Sequence, residues 1–162
     1  MDETFQNHEP YISKTITMAQ AATDRGDRPC GSLLVADDEI IREDTNRVYS
    51  DDDLALHPEL SLTRWAEREL RTDEQAETVL YTTVEPCSMC ATAIALTELG
   101  SVVFSVSGDE YWSVAADAGY DVPTDYIPCA EVFERLGAET TIVDSVCATE
   151  GIETIQACLE GQ

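Results

Sequence analysis

The sequence predicts a three-layer α/β/α sandwich around a central five-stranded mixed sheet. Three observations predict it. Runs of β-branched residues of strand length recur between segments of helical period. The first two such runs flank a short acidic turn, Asp37-Asp38, as a hairpin does. One helical segment between two strands is apolar nearly all round, as a helix laid on a sheet should be.

Each element follows in chain order. Ile12, Ile16 and Ala19 share a helical face, which predicts an amphipathic helix over roughly residues 9–24, ended by Gly26 and Pro29. SLLVA and EIIRE around Asp37-Asp38 form the hairpin, and NRVYSDDDLAL is a loop. From Pro58 to about Arg71, Leu62, Trp65, Ala66 and Leu70 repeat at helical spacing, with Trp65 on the core side. TVLYTTV (78–84) is a strand; residues 88–99 are the apolar helix, with Gly100 as its stop; SVVFSV is the next strand. SGDEYWSVAADAGYDVPTDYIP reads as one long loop. A short helix (AEVFERLG), a strand (TTIVDSV) and a terminal helix from about Thr149 complete the chain. The first two strands are expected antiparallel. The later ones should run parallel through right-handed crossovers, with helices on both faces. No repeat or linker divides the chain, so residues 1–162 read as one domain.

Composition narrows the setting. No apolar run is long enough to span a bilayer, and the start, MDETFQNHEP, is acidic rather than a signal peptide, which points to the cytoplasm. The six cysteines then read as reduced thiols packed as small hydrophobes, and only Cys87 and Cys90 have ligand spacing. Thirty-three acidic residues face nine basic ones, eight arginines and Lys14, for a net charge of −24. Such self-repulsion is relieved when salt shortens the Debye length to about 3 Å near 1 M. Excess acid, scarce lysine and an intact hydrophobic pattern together point to a high-salt cytosol. A surface this acidic is poorly suited to polyanions, so nucleic acid is an unfavoured partner.

Two motifs carry chemistry. Both lie where loops enter helices, the edge of an open α/β sheet at which ligands bind. Cys87 and Cys90 are three apart at a helix start, hence on one face. The partial positive charge of a helix N-terminus favours thiolate, the metal-binding form. His57 stands before Pro58, which suits a helix's first turn and pushes His57 toward extended geometry. One imidazole and two thiolates suit zinc, and three protein ligands with an open position is the catalytic pattern. Water in that position has its pKa lowered toward neutrality. Glu59 shares a face with Leu62 and Ala66, so it should point inward, able to take a proton from that water and pass it on. This is equipment for hydrolytic attack on an amidine-like ring carbon with loss of ammonia.

His57-Pro58-Glu59 with Pro86-Cys87-Ser88-Met89-Cys90 resembles the signature of the zinc-dependent cytidine deaminase-like superfamily. TVEPCSMCATAI is similar to the core block of its guanine deaminases, fungal-type cytosine deaminases and tRNA adenosine deaminases. RPCGSLLV and IIREDTNRV resemble their first two strands. The likeness spans roughly residues 10–145. It implies Zn2+ on His57, Cys87 and Cys90, Glu59 as proton shuttle, and Asn46 as an anchor for the substrate ring. It also implies a small-molecule base or nucleoside substrate, of guanine or cytosine type, and a homodimer. One departure concerns substrate recognition. Relatives usually carry alanine or glycine at Pro58, whose backbone N–H in several of them donates to the substrate ring, and proline has none.

Other readings stand beside these. The Cys pair and His57 could form a structural zinc knuckle, with Cys30, Cys129, Cys147 or His8 as fourth ligand, in a module that binds without turnover. Deamination of adenosine in a tRNA anticodon loop keeps the chemistry and changes the partner. By residue type alone Asn46 is a turn residue. Trp112, Tyr111 and Tyr126 could stack on a flat base or serve as core or subunit contacts. Asp121 and Asp125 could read an exocyclic amine or remain solvated, Glu85 could orient the metal turn, and His8 reads as a tail residue. The charge generates the first prediction: the unfolding midpoint should rise on the order of 10 °C between about 0.1 M and about 3 M KCl. A midpoint that falls with salt overturns the high-salt reading.

Overall fold

Among the described residues, seven helices and five strands follow the expected alternation: α1 (Glu9–Asp24), β1 (Gly31–Ala36), β2 (Glu39–Thr45), α2 (Pro58–Glu69), α3 (Thr72–Glu77), β3 (Val79–Val84), α4 (Ser88–Thr97), β4 (Ser101–Val106), α5 (Gly108–Asp117), α6 (Cys129–Leu136), β5 (Thr141–Val143) and α7 (Ala148–Glu160). The computed structural model describes residues 7–162, so the acidic start through Gln6 lies outside the described residues. The sheet runs β2-β1-β3-β4-β5. β1 is antiparallel to both β2 and β3, while β3, β4 and β5 are parallel. No described helix is long and apolar enough to cross a membrane.

Strand alternation divides the core. Leu33, Val35, Tyr81 and Val103 meet Ile12 and Ile16 of α1 on one face. Leu34, Leu80, Val102 and Phe104 meet Leu62 and Ala66 of α2, Ala91 and Ile94 of α4 and Phe133 of α6 on the other. Side chains two apart on a strand share a face, so β1 alone supplies both layers. The hairpin closes as expected, with Asp37 and Asp38 at φ 52° and 62°, the positive φ pair that a two-residue hairpin turn requires.

Several local expectations need correction. Residues 107–128 are not one loop, because α5 occupies Gly108–Asp117. Ser107 and Glu110 form a reciprocal capping box, with Ser107 Oγ accepting from Glu110 N and Glu110 Oε2 accepting from Ser107 N. Tyr111, Trp112 and Ala115 then pack toward Val106, Ile155 and Leu159. α3 is a further helix in a polar stretch without periodicity. α4 ends at Thr97 and is capped by Glu98, in the left-handed region at φ 58°, rather than running on to a stop at Gly100. Gly100 is needed for a different reason: a Cβ there would collide with the Ala76 carbonyl. β5 is only three residues long. His8 is no free tail; its Nδ1 lies 2.9 Å from Tyr81 Oη. Trp65 is only partly buried, packed against the α2–α4 core with the Arg42 guanidinium 5.2 Å above its ring.

Ile94 is fully buried between α4 and the sheet. Truncating it, Ile94→Ala, should cost about 2–5 kcal/mol in denaturant unfolding. Zinc content of the folded fraction should be unchanged, since Ile94 supplies no ligand atom.

Candidate metal centre and active-site cavity

Two helix N-termini converge on the cavity. His57 is the N-cap of α2, extended at φ −73° and ψ 133°, with Pro58 at the first helical position. Cys87 is the N-cap of α4, also extended, and Cys90 lies in that helix's first turn. Neither N-cap side chain makes a capping hydrogen bond, and the imidazole and the thiol face each other.

The three ligand atoms form a nearly equilateral triangle. His57 Nδ1 is 3.7 Å from Cys87 Sγ and 3.7 Å from Cys90 Sγ, and the sulfurs are 3.6 Å apart. A tetrahedral zinc with ordinary bond lengths demands about 3.8 Å between sulfurs and about 3.6 Å from nitrogen to sulfur. The donor set therefore fits zinc in both chemistry and spacing. Among the described residues no fourth His, Cys, Asp or Glu joins this group. Cys30 instead lies against Glu59, Cys129 is buried at the start of α6, and Cys147 caps α7. The closed, four-ligand structural site is thus disfavoured.

The electrostatics agree with metal binding. The Cys90 sulfur is first among the groups that push the Cys87 thiol down to about 4, with burial opposing and the His57 hydrogen bond assisting. Cys90 is pushed up, chiefly by the same shared contact. A bound cation favours the deprotonated form of both sulfurs. His57 is raised, first by its hydrogen bond with Cys87.

Glu59 is buried in the first turn of α2. Its Oε1 accepts from Thr82 Oγ1 at 3.4 Å and from Cys30 Sγ at 3.6 Å. Ser32 Oγ in turn donates to Thr82 Oγ1 at 2.8 Å, so a directed chain of hydroxyls fixes one carboxylate oxygen. The other oxygen, Oε2, is buried with no partner. Burial, the largest cause, raises the Glu59 pKa to about 7, while the His57 charge opposes. A buried carboxylate with one oxygen pinned and one free is suited to carry a proton.

These groups border a cavity of about 310 Å3, the small end of ligand-pocket sizes. Asn46, Trp112 and Tyr126 line it. Asn46 is both turn residue and wall: its Oδ1 accepts from Val48 N, leaving Nδ2 as a donor for the cavity. Tyr126 lies flat against Gly108, where any Cβ would strike its ring. Glu85 orients the surroundings, accepting from Gly108 N at 2.9 Å and Cys129 N at 2.8 Å, so it ties the starts of α5 and α6 together.

Two expected substrate contacts are not brought in. Pro58 is buried but outside the lining, because its position serves the start of α2. Asp121 is exposed in the segment after α5 and also lies outside; Asp125 lines the cavity instead. Tyr111, named with the loop aromatics, also lines the cavity, whereas sequence reasoning missed Arg28 and Cys30 as lining groups and Thr82 as support. Arg28 carried a signal, since cations are so few in this chain.

Comparison with known proteins bears on this site. Residues 5–106, which include all three ligands and Glu59, match the family model described as the cytidine and deoxycytidylate deaminase zinc-binding region. A guanine deaminase of Bacillus subtilis (strain 168) is 30% identical over 152 residues, 93% of either chain. A tRNA-specific adenosine deaminase of Aquifex aeolicus (strain VF5) is 30% identical over 136 residues, 79% of this chain and 90% of its own. A solved guanine deaminase from Nitrosomonas europaea shares the fold, with TM-score 0.74 at 18% identity over 94% of this chain and 85% of that one. The triangle generates a prediction: the protein should carry roughly one zinc per chain by plasma mass spectrometry, and Cys87→Ala should lose most of it. Full retention by that variant would exclude Cys87 as a ligand.

Proposed function

The chain belongs to the cytidine and deoxycytidylate deaminase zinc-binding family and is a zinc-dependent deaminase; from that premise we propose that it acts on a free nucleobase or nucleoside of guanine or cytosine type. The overall reaction consumes water, replaces the exocyclic amine by a carbonyl oxygen and releases ammonia. The observation that carries the proposal is the free, buried Oε2 of Glu59 beside the ligand triangle, in a cavity of base-like dimensions. Zinc bound by His57, Cys87 and Cys90 supplies a lowered pKa to the attacking water.

The chain's own residues do the rest. Glu59 Oε2 takes one proton of the attacking water and hands it to a ring nitrogen; it then takes the second from the hydroxyl newly bonded to the ring carbon and delivers it to the amine, which leaves as ammonia as the carbonyl forms. Thr82 and Cys30 hold Oε1 so that Oε2 faces the reaction. Asn46 Nδ2 donates to an acceptor on the ring, and Trp112 and Tyr126 cover its faces and exclude water. A homodimer belongs to this reading, and Met89 and Leu96, exposed on α4, offer it an apolar face. So does a cytoplasm of high salt, which the net charge of −24 supports.

A second reading, deamination of adenosine in tRNA, has its own support. Four of the eight arginines, Arg42, Arg47, Arg64 and Arg68, line a single groove between β2 and α2 together with Glu43 and Asp44, and Arg47 is ion-paired with Asp44. A groove of this kind suits phosphate contacts, and RNA binding through it would weaken steeply with salt.

One experiment separates the readings. Ammonia release should appear with guanine or cytosine, or their nucleosides, in molar salt with zinc. Glu59→Gln should reduce it by about 10²–10⁴-fold while sparing fold and zinc content. Release from a tRNA anticodon stem-loop alone favours the second reading. Release from neither, or turnover unaffected by Glu59→Gln, leaves a binding module.

A further inference from the structure

The cavity wall carries a cation that the deamination chemistry does not use. Arg28 lines the cavity, half-buried, between α1 and β1. Its Nε and Nη2 share one acceptor, Tyr49 Oη, at 3.3 Å each, and its guanidinium carbon is 5.5 Å from the Tyr49 ring centroid. The Nη1 edge has no recorded partner among the described residues. No carboxylate among them forms an ion pair with Arg28; Arg42, Arg64 and Arg68 also lack one, but they lie outside this cavity. In a chain with 33 acidic residues and nine basic ones, a cavity-lining cation left unneutralised calls for a ligand.

The mount is rigid. Tyr49 sits in the loop between β2 and α2, and that loop is fastened by a buried carboxylate. Asp27 Oδ1 accepts from Tyr49 N at 3.0 Å and Ser50 N at 2.9 Å, while Oδ2 accepts from Ser50 Oγ and Arg25 Nε at 2.8 Å. Burial alone would raise the Asp27 pKa, but these hydrogen bonds outweigh it and hold the carboxyl below its ordinary value. The neighbouring residue Arg28 and its phenol partner are therefore set by one anionic clamp. The charge of Arg28 also acts on His57 and on Tyr111, two other residues of the same wall.

We infer that Arg28 is a specificity-determining residue that binds an acceptor oxygen of the substrate remote from the reacting carbon, so that the preferred substrates are amino-heterocycles bearing a keto or phosphate oxygen. This rests on the deaminase reading. A guanidinium fork gives its strongest hydrogen bonds to anionic or strongly polarised oxygens. Adenine as a free base has no such oxygen. The cavity places Arg28 and Asn46 as donors, with Asp125 as an acceptor for a remaining N–H.

The test compares ligand pairs that differ by one oxygen function: guanine with 2-aminopurine, cytosine with 4-aminopyrimidine, and CMP with cytidine. Affinities are measured calorimetrically for zinc-loaded Glu59→Gln and for Glu59→Gln/Arg28→Met, which keeps the length of the aliphatic stem. Ammonia release is followed in parallel for wild type and Arg28→Met. The second substitution should weaken the oxygen-bearing member of at least one pair by about 10–100-fold and leave its partner within about 2-fold. The responding pair tells keto from phosphate. Equal loss for both members, no loss in any pair, or no binding of any ligand overturns the inference. If the pairs discriminate in binding but wild type releases no ammonia, the deaminase reading fails and the Arg28 site stands.

Discussion

Everything at this site depends on two helix N-termini being held within coordination distance of each other. His57 and Cys90 are thirty-three positions apart in sequence, yet 3.7 Å apart at their ligand atoms. The metal does not have to create that approach, because Leu62 and Ala66 of α2 and Ala91 and Ile94 of α4 share one buried layer on the sheet. Interiors packed at crystal-like density resist sliding of one helix against the other. Pro58 sets the entry of α2, and the parallel β3–β4 pair fixes where α4 begins and returns. The core is thus the scaffold of a metal site whose ligands lie at its rim.

Beneath the metal triangle the sheet turns polar. Cys30 just before β1, Ser32 on β1 and Thr82 on β3 are buried beside Leu33, Leu34 and Tyr81. Their hydroxyl and thiol groups are arranged as donors toward one oxygen of Glu59. Without such partners a buried carboxylate would be costly to hold in a defined orientation. With them, only Oε2 remains unsatisfied, and burial brings the group's pKa to about 7, where it can both accept and donate a proton. Structure and reactivity arise from the same asymmetry between the two oxygens.

A different asymmetry governs the mouth of the cavity. The protein's surface repels anions through its net charge of −24, and high ionic strength shortens the reach of that field. The side chains placed to meet a ligand directly include Asn46 and Arg28, which line the cavity. Both are held by backbone and side-chain hydrogen bonds around residues 25–50, in which Asp27 is the buried hub. Glu85 plays the corresponding part on the opposite side, joining α5 and α6, from whose neighbourhood Trp112 and Tyr126 come.

The sequence by itself determined the layer order, the hairpin at Asp37-Asp38, the helices that begin at Pro58 and Ser88, and the zinc ligand set with Glu59 at its side. Those features are local: periodicity, turn chemistry and short ligand spacing are written within a few residues. It missed α5, although Ser107 and Glu110 spell a capping box, because the segment's apolar side chains are spread among glycines and acids. Only tertiary structure decided that Asp125 rather than Asp121 faces the cavity, that Pro58 stays out of it, and that Arg28 reaches Tyr49 across a loop. The same holds for the Ser32–Thr82–Glu59 chain, which joins β1, β3 and α2. Such contacts depend on the register of strands and the path of loops, which are set by the packing of the whole domain and leave no mark at a fixed spacing in the chain.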